Sequence, residues 1–342
     1  MHPQAVRRLA LAAGLVGALS LSARTLSAQQ ASAPSVTVSG LAYTQFSYND
    51  FPTAGAQLNG FSVQRAYINV IGRFGEILTR VTADIAPVGT AGTNNQLYRL
   101  KYAYAAYTPT GSALTYKMGL IHTPFLDFEE ALWDYRVQGS MALDRNGYLT
   151  SSDAGIGIDG KWSNDAVNGQ LTLVNGEGYS GGTGDNRKDV EARVSARLSP
   201  TDDAGRVGGL RITGYAGFGK MTGGGTRDVY LGMLSYRSSQ ITLAGEFAST
   251  KGNLAATTTA TGSVISAFGV YHFSASKAAV IARVDIVDPN TSVGNNKQTR
   301  LMGGLSYQLS PNVRLLADLE NLSFEAGTTA HNTALFQTQF TF

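Results

Sequence analysis

VEARVSARL, residues 190 to 198, alternates without a break. Val190, Ala192, Val194, Ala196 and Leu198 fall on one side of an extended chain, and Glu191, Arg193, Ser195 and Arg197 on the other. Successive side chains of a strand point to opposite faces, whereas a helix would mix the two sets. One side therefore excludes charge while the other accepts both signs.

The same pattern recurs along the chain. In residues 95 to 108, Tyr98, Leu100, Tyr102, Tyr104 and Ala106 share one face and Arg99, Lys101, Ala103 and Ala105 the other. In 313 to 323, Val313, Leu315, Ala317 and Leu319 oppose Arg314, Leu316, Asp318 and Glu320. Sixteen such segments are expected, at 36–48, 61–74, 77–86, 96–108, 113–121, 153–163, 167–175, 188–199, 208–220, 228–237, 240–249, 263–273, 278–288, 298–309, 313–323 and 332–342. Short connections such as Gly75-Glu76 and Asn164-Asp165-Ala166 alternate with long ones rich in Gly, Thr and Asn. Pro34 precedes the first segment. Pro52, Pro87, Pro109, Pro124, Pro200, Pro289 and Pro311 fall at or beyond segment ends, where no ladder donor is lost.

An even number of strands with short turns on one side and long loops on the other predicts an all-β chain: a transmembrane antiparallel β-barrel. A soluble sandwich or propeller also alternates. It would not place Tyr98, Tyr107, Trp162, Phe218, Tyr236, Phe247, Phe273 and Tyr307 near strand ends of its outward face, as interfacial girdles require. No propeller-length repeat appears.

Arg7 and Arg8 lead an apolar stretch from Leu9 to Leu21 that runs out at Ser27-Ala28, the layout of a secretory signal. The expected division is a signal peptide at 1–28 and a single barrel domain at 29–342. The segment 1–28 carries three arginines and no acid, so its removal balances the 27 basic and 24 acidic residues. No nucleic-acid partner follows from such a charge. The absence of cysteine excludes a disulfide scaffold and thiolate chemistry.

A barrel of about 16 strands is too wide for its own side chains to fill, so function should reside in what narrows it. The longest connection is the third long one, HTPFLDFEEALWDYRVQGSMALDRNGY at 122 to 148. Phe125, Phe128, Leu132 and Tyr135 recur near helical spacing, which predicts a short helix against the wall and a constricting third outer loop. The loop brings Asp127, Glu129, Glu130, Asp134 and Asp144 against Arg136 and Arg145. The inward register leans basic, and Arg65, Arg80, Arg99, Lys101 and Lys117, all from the second to fifth strands, should cluster. A basic wall opposite an acidic loop would set a transverse field across the pore. The alternative is that these charges solvate a lumen and pair among themselves.

Catalytic and metal sites find no support: His122, His272 and His331 have no Ser or carboxylate at motif spacing, and no cofactor is expected. The Gly-rich runs 180–184 and 223–225 read as outer loops.

Gln64-Arg65-Ala66-Tyr67-Ile68-Asn69-Val70-Ile71-Gly72 resembles the second strand of the phosphate-selective porin O and P family of Gram-negative outer membranes. Gly119-Leu120-Ile121-His122-Thr123-Pro124-Phe125 is similar to that family's Gly-x-x-x-Thr-Pro-Phe entrance to the constricting loop, and Val174-Asn175-Gly176 to its strand-ending Asn-Gly. The resemblance implies a sixteen-stranded trimeric porin of the cell outer membrane with a basic constriction that favours anions such as phosphate. His122 stands where the family has a basic residue, and no dense Arg or Lys ladder is present. A second reading is a structural or adhesive barrel with a plugged lumen, and a third a barrel enzyme.

The chain ends NTALFQTQFTF, 332 to 342, with Phe336, Phe340 and Phe342 in the outward register and Gln337 and Gln339 expected to face water inside. This last strand should pair with the first near Val36, since an open edge in lipid leaves amides unpaired. A terminal aromatic, Phe342, also resembles the signal read by the outer-membrane assembly machinery. Small hydrophilic solutes or anions, membrane lipid and two further copies of the chain complete the expected partners.

Overall fold

The structure, a computed structural model, describes residues 33–50, 59–87, 96–181, 186–220, 224–253, 259–274, 276–327 and 330–342. The expected signal at 1–28 lies outside the described residues, as does Pro52. Residues 34–342 form one compact unit.

The strands are β1 Ser35–Asn49, β2 Asn59–Phe74, β3 Ile77–Pro87, β4 Gln96–Tyr107, β5 Leu114–His122, β6 Ser152–Trp162, β7 Val167–Val174 and β8 Asp189–Ser199. They continue as β9 Gly209–Lys220, β10 Thr226–Arg237, β11 Ile241–Lys251, β12 Thr261–His272, β13 Ala278–Asp288, β14 Gln298–Ser310, β15 Val313–Phe324 and β16 His331–Thr341. Every expected segment is present, and its ends lie within two residues of the expected ones. Each strand pairs antiparallel with its sequence neighbours, and β1 pairs with β16 from Leu41↔Thr341 to Asn49↔Thr333, so the sheet closes. Closure leaves no unpaired edge. The β2–β3 turn has Gly75 at φ 63° in its first central position, where a two-residue II′ hairpin turn calls for glycine.

The outward register carries Val194, Leu198, Ile212, Leu234, Leu243 and Leu305, and the eight girdle aromatics named above are all exposed on it. Glu191, Arg193 and Ser195 point inward, as the alternation of 190–198 requires.

Strand β4 departs from simple alternation. Thr82 pairs with Tyr102 and Ala83 with Leu100, so Lys101 is the extra residue of a bulge. Tyr98 and Leu100 point outward as expected, but Tyr102 and Ala106 are buried on the inner face, and Tyr104 joins them beside His122. The expectation that one face holds Tyr98, Leu100, Tyr102, Tyr104 and Ala106 is corrected by that single inserted residue. Lys101 and Tyr102 both project inward.

The inner face is also less uniformly polar than expected. Val229, Leu231 and Met233 of β10, Val264, Phe268 and Val270 of β12, and Ala279 and Ile281 of β13 are buried there with the third long loop. That loop contains helix α1, Leu126–Trp133, a 3-10 turn at Arg136–Gln138, and helix α2, Ala142–Arg145. Leu126, Phe128, Leu132 and Trp133 are fully buried, each worth about 1.5–3 kcal/mol relative to exposure. Trp133 packs edge-on to Phe268 with ring centroids 5.2 Å apart. Asp127 in the first turn of α1 suits the positive end of its dipole. Asp134, in the left-handed region at φ 55°, ends it, so Tyr135 lies beyond the helix and is buried by its own contact with Ser306.

Candidate functional site

The loop is held to the wall chiefly through its backbone carbonyls. Gln170 of β7 donates to the carbonyl of His122 at 2.8 Å, and Arg193 of β8 to that of Pro124 at 2.8 Å. Arg206, on the β8–β9 connection, donates to the Asp127 carbonyl at 2.7 Å. Arg237 of β10 donates to Ala131 and Leu132 at 2.5 and 3.3 Å, which satisfies last-turn carbonyls of α1. Arg314 of β15 reaches Asp134, Gln337 of β16 reaches Val137, and Arg283 of β13 reaches Ser140, at 2.6, 3.0 and 3.1 Å. Gln337 therefore does not face water. The β8–β9 connection, Pro200 to Gly208, is likewise no plain turn, since Arg206 leaves it to bind the loop.

These anchors run from β7 round to β16 and leave the loop's open side toward β1–β5. Two cavities lie there. One, of about 350 Å³, is lined by Tyr43, Tyr67, Arg80, Lys101, Asp127 and Glu130 among others. The other, of about 290 Å³, is lined by Gln45, Gln64, Arg65, Gln138 and Arg145. Tyr43 and Arg136 line both, so they stand at the boundary.

The five expected wall cations are near neighbours with different partners. Arg65 and Arg99 converge on Asp84 at 3.0 and 2.8 Å. Lys117 pairs with Asp159 and lies 5.9 Å from the Tyr104 ring centroid. Arg80 lies 4.5 Å over the ring of Tyr102 and bonds Asn69 at 2.8 Å and the His122 ring at 3.2 Å. Lys101, buried, donates to the Tyr67 hydroxyl at 3.1 Å and lies 4.8 Å over that ring. Among the described residues, Arg80 and Lys101 have no carboxylate within ion-pair distance.

The loop's charges are more individually matched than an acidic face would be. Asp127 pairs with Arg206 at 2.7 Å, Glu130 with Arg136 at 2.8 Å, and Asp134 with Arg314 at 3.2 Å. Burial works to raise the Asp127 carboxyl, but the Arg206 guanidinium beside it prevails and holds it well below the usual range. Burial would likewise lower Arg136, and Glu130 more than offsets that effect. Glu129 is turned away from the cavities and fully buried, and burial with the neighbouring Glu246 carboxyl pushes it well up. As two carboxylates the pair would hold four buried acceptor oxygens without a donor, which opposes its full ionisation.

Sequence reasoning missed Tyr43, Tyr67, Tyr102, His122 and Arg206 as members of this site. His122 stacks on Tyr102 with centroids 4.0 Å apart, and Tyr67 meets Tyr43 edge-on at 6.5 Å. Only the bulge at Lys101 reveals Tyr102. Tyr67, two residues after Arg65 in an alternating strand, was within reach of the period-two rule.

No family model matches the sequence, and no curated protein sequence matches it. Solved structures do share the fold. An anion-selective porin from Comamonas acidovorans superposes with a TM-score of 0.68 at 13% identity, over 90% of this chain and 100% of that one. A mutant of the Rh. blastica porin gives 0.62 at 14%, over 90% and 100%. The loop-deleted form of OmpT, an outer membrane protein of Vibrio cholerae, gives 0.61 at 13%, over 91% and 100%. The chain thus has the sixteen-stranded porin fold.

Proposed function

We propose that the protein is an outer-membrane porin, a water-filled channel for passive diffusion of small hydrophilic solutes that prefers anions. The observation that carries this reading is the pair of polar cavities between the third long loop and strands β1–β5, with Arg80 and Lys101 on the wall and, among the described residues, no carboxylate within ion-pair distance of either. The loop acts as the constriction, and Tyr43 and Arg136 form its narrow point. An exposed apolar band closed on itself supports insertion in lipid. The fold shared with an anion-selective porin and with an outer membrane protein supports the same placement. Assembly as a homotrimer, delivery by the outer-membrane machinery through Phe342, and removal of 1–28 as an export signal belong to this proposal. Phosphate selectivity, which the family resemblance implies, has weaker support: among the described residues, only Arg80 and Lys101 of the five wall cations lack a carboxylate partner.

The proposed activity is transport rather than turnover. Planar-bilayer recording tests it: discrete conductance steps are expected, and a bilayer that stays silent after insertion would favour a plugged structural barrel. Liposome swelling with small sugars is the companion test, with swelling expected.

A further inference from the structure

We infer that the 350 Å³ cavity beside Lys101 is a saturable seat for a small polyhydroxylated monocarboxylate, of the sugar-acid kind. This rests on the channel reading and names the solute class. Lys101 is 4% exposed, and its ammonium has three donors, of which the Tyr67 hydroxyl takes one. Arg80 spends donors on Thr82, Asn69 and His122 and still has N–H groups to give. A buried charge with no carboxylate in direct contact is costly, and the ring faces of Tyr67 and Tyr102 together with Glu130 across the cavity offset only part of that cost. An anion in the cavity completes the compensation.

The lining narrows the class. With their direct ion-pair partners included, Arg80, Lys101, Arg136, Arg206 and Arg314 stand against Asp127, Glu130, Asp134 and Asp144 around this space, an excess of one positive charge. A monoanion balances it and a multiply charged anion does not. Tyr102 has Arg80 over its ring and His122 stacked on it, while Tyr67 has Lys101 and Arg65, so flat aromatic solutes find little ring surface to stack on. What the cavity offers instead are a hydroxyl, an amide and carboxylate acceptors: Tyr43, Gln339, Glu130 and Asp134. Those groups suit the hydroxyls of a polyol chain. The volume lies at the small end of small-molecule pockets, about 300–1,000 Å³, which suits a solute of roughly hexose size.

Gluconate titrated onto single channels in potassium chloride tests the seat. Reversible current interruptions that saturate are expected, at concentrations at least tenfold below those at which acetate, glucose or inorganic phosphate interrupt. Lys101→Met and Arg80→Gln should each raise the half-saturating gluconate concentration at least tenfold while conductance steps persist, and Lys101→Arg should stay within threefold of wild type. Equal potency of phosphate or acetate would overturn the hydroxy-acid assignment. A wild-type channel that shows anion preference without saturable gluconate interruption would overturn the seat and leave the channel reading standing. Saturable interruption in a channel without anion preference would leave the seat standing and overturn the anion preference.

Discussion

The Arg314 guanidinium grips Asp134 twice, its backbone carbonyl at 2.6 Å and its carboxylate at 3.2 Å, while stacking 4.5 Å over the ring of Tyr135. Asp134 is the left-handed residue that ends α1, so this contact fixes where the loop leaves its helix. Arg314→Met should weaken the loop's attachment by about 1–2 kcal/mol, the loss of charge-assisted bonds that are partly solvated. Single-channel records should then show increased open-channel noise at unchanged folded yield. Quiet records would mean the remaining carbonyl anchors suffice.

Glu129 carries a pH dependence. Its carboxyl is raised in the folded protein, so its contribution to loop attachment is fully present below the usual carboxylate range and is lost as pH rises through the elevated value. Ionisation would set a charge beside Glu246 in a dry site. Thermal unfolding followed across pH should show stability falling on the alkaline side, with Glu129→Gln flattening that limb. An unchanged alkaline limb in Glu129→Gln would remove this pair as its cause.

Phe342 closes the barrel over Gly40. The two residues exchange backbone hydrogen bonds of 2.7 and 3.1 Å, and the Phe342 ring occupies the space that a side chain at Gly40 would need. Gly40→Val should displace the ring and, like deletion of Phe342, lower the folded fraction severalfold. Heat-modifiable gel mobility measures that fraction, and molecules that do fold should conduct as wild type. Full folded yield in both variants would show that the seam tolerates loss of this contact.

The barrel was legible because an apolar outer face and a polar inner face impose period two. Residues 190–198 obey it at every position, and the Gly75 turn sets the first short connection. Legibility failed where the interior is not water. Val229, Leu231 and Met233 sit between outward Tyr230, Gly232 and Leu234, so β10 reads as one apolar run, the mark of burial on both faces. The third long loop's helix was readable from Phe125, Phe128 and Leu132, but its anchors were not. Arg193, Arg283 and Arg314 look like lumen charges in sequence, and in the fold they satisfy loop carbonyls. Sign and register can be read from a strand; a partner 69 to 180 residues away cannot. The bulge at Lys101 is similar, because nothing in YRLKYAYAA marks which residue is extra.

The proposed anion preference set by Arg80 and Lys101 is tested by the reversal potential across a potassium chloride gradient. A potential directed toward the chloride equilibrium value is expected, moving toward zero in the Arg80→Gln, Lys101→Met double variant with its conductance steps intact. A potential directed toward the potassium value in the wild-type channel would contradict it.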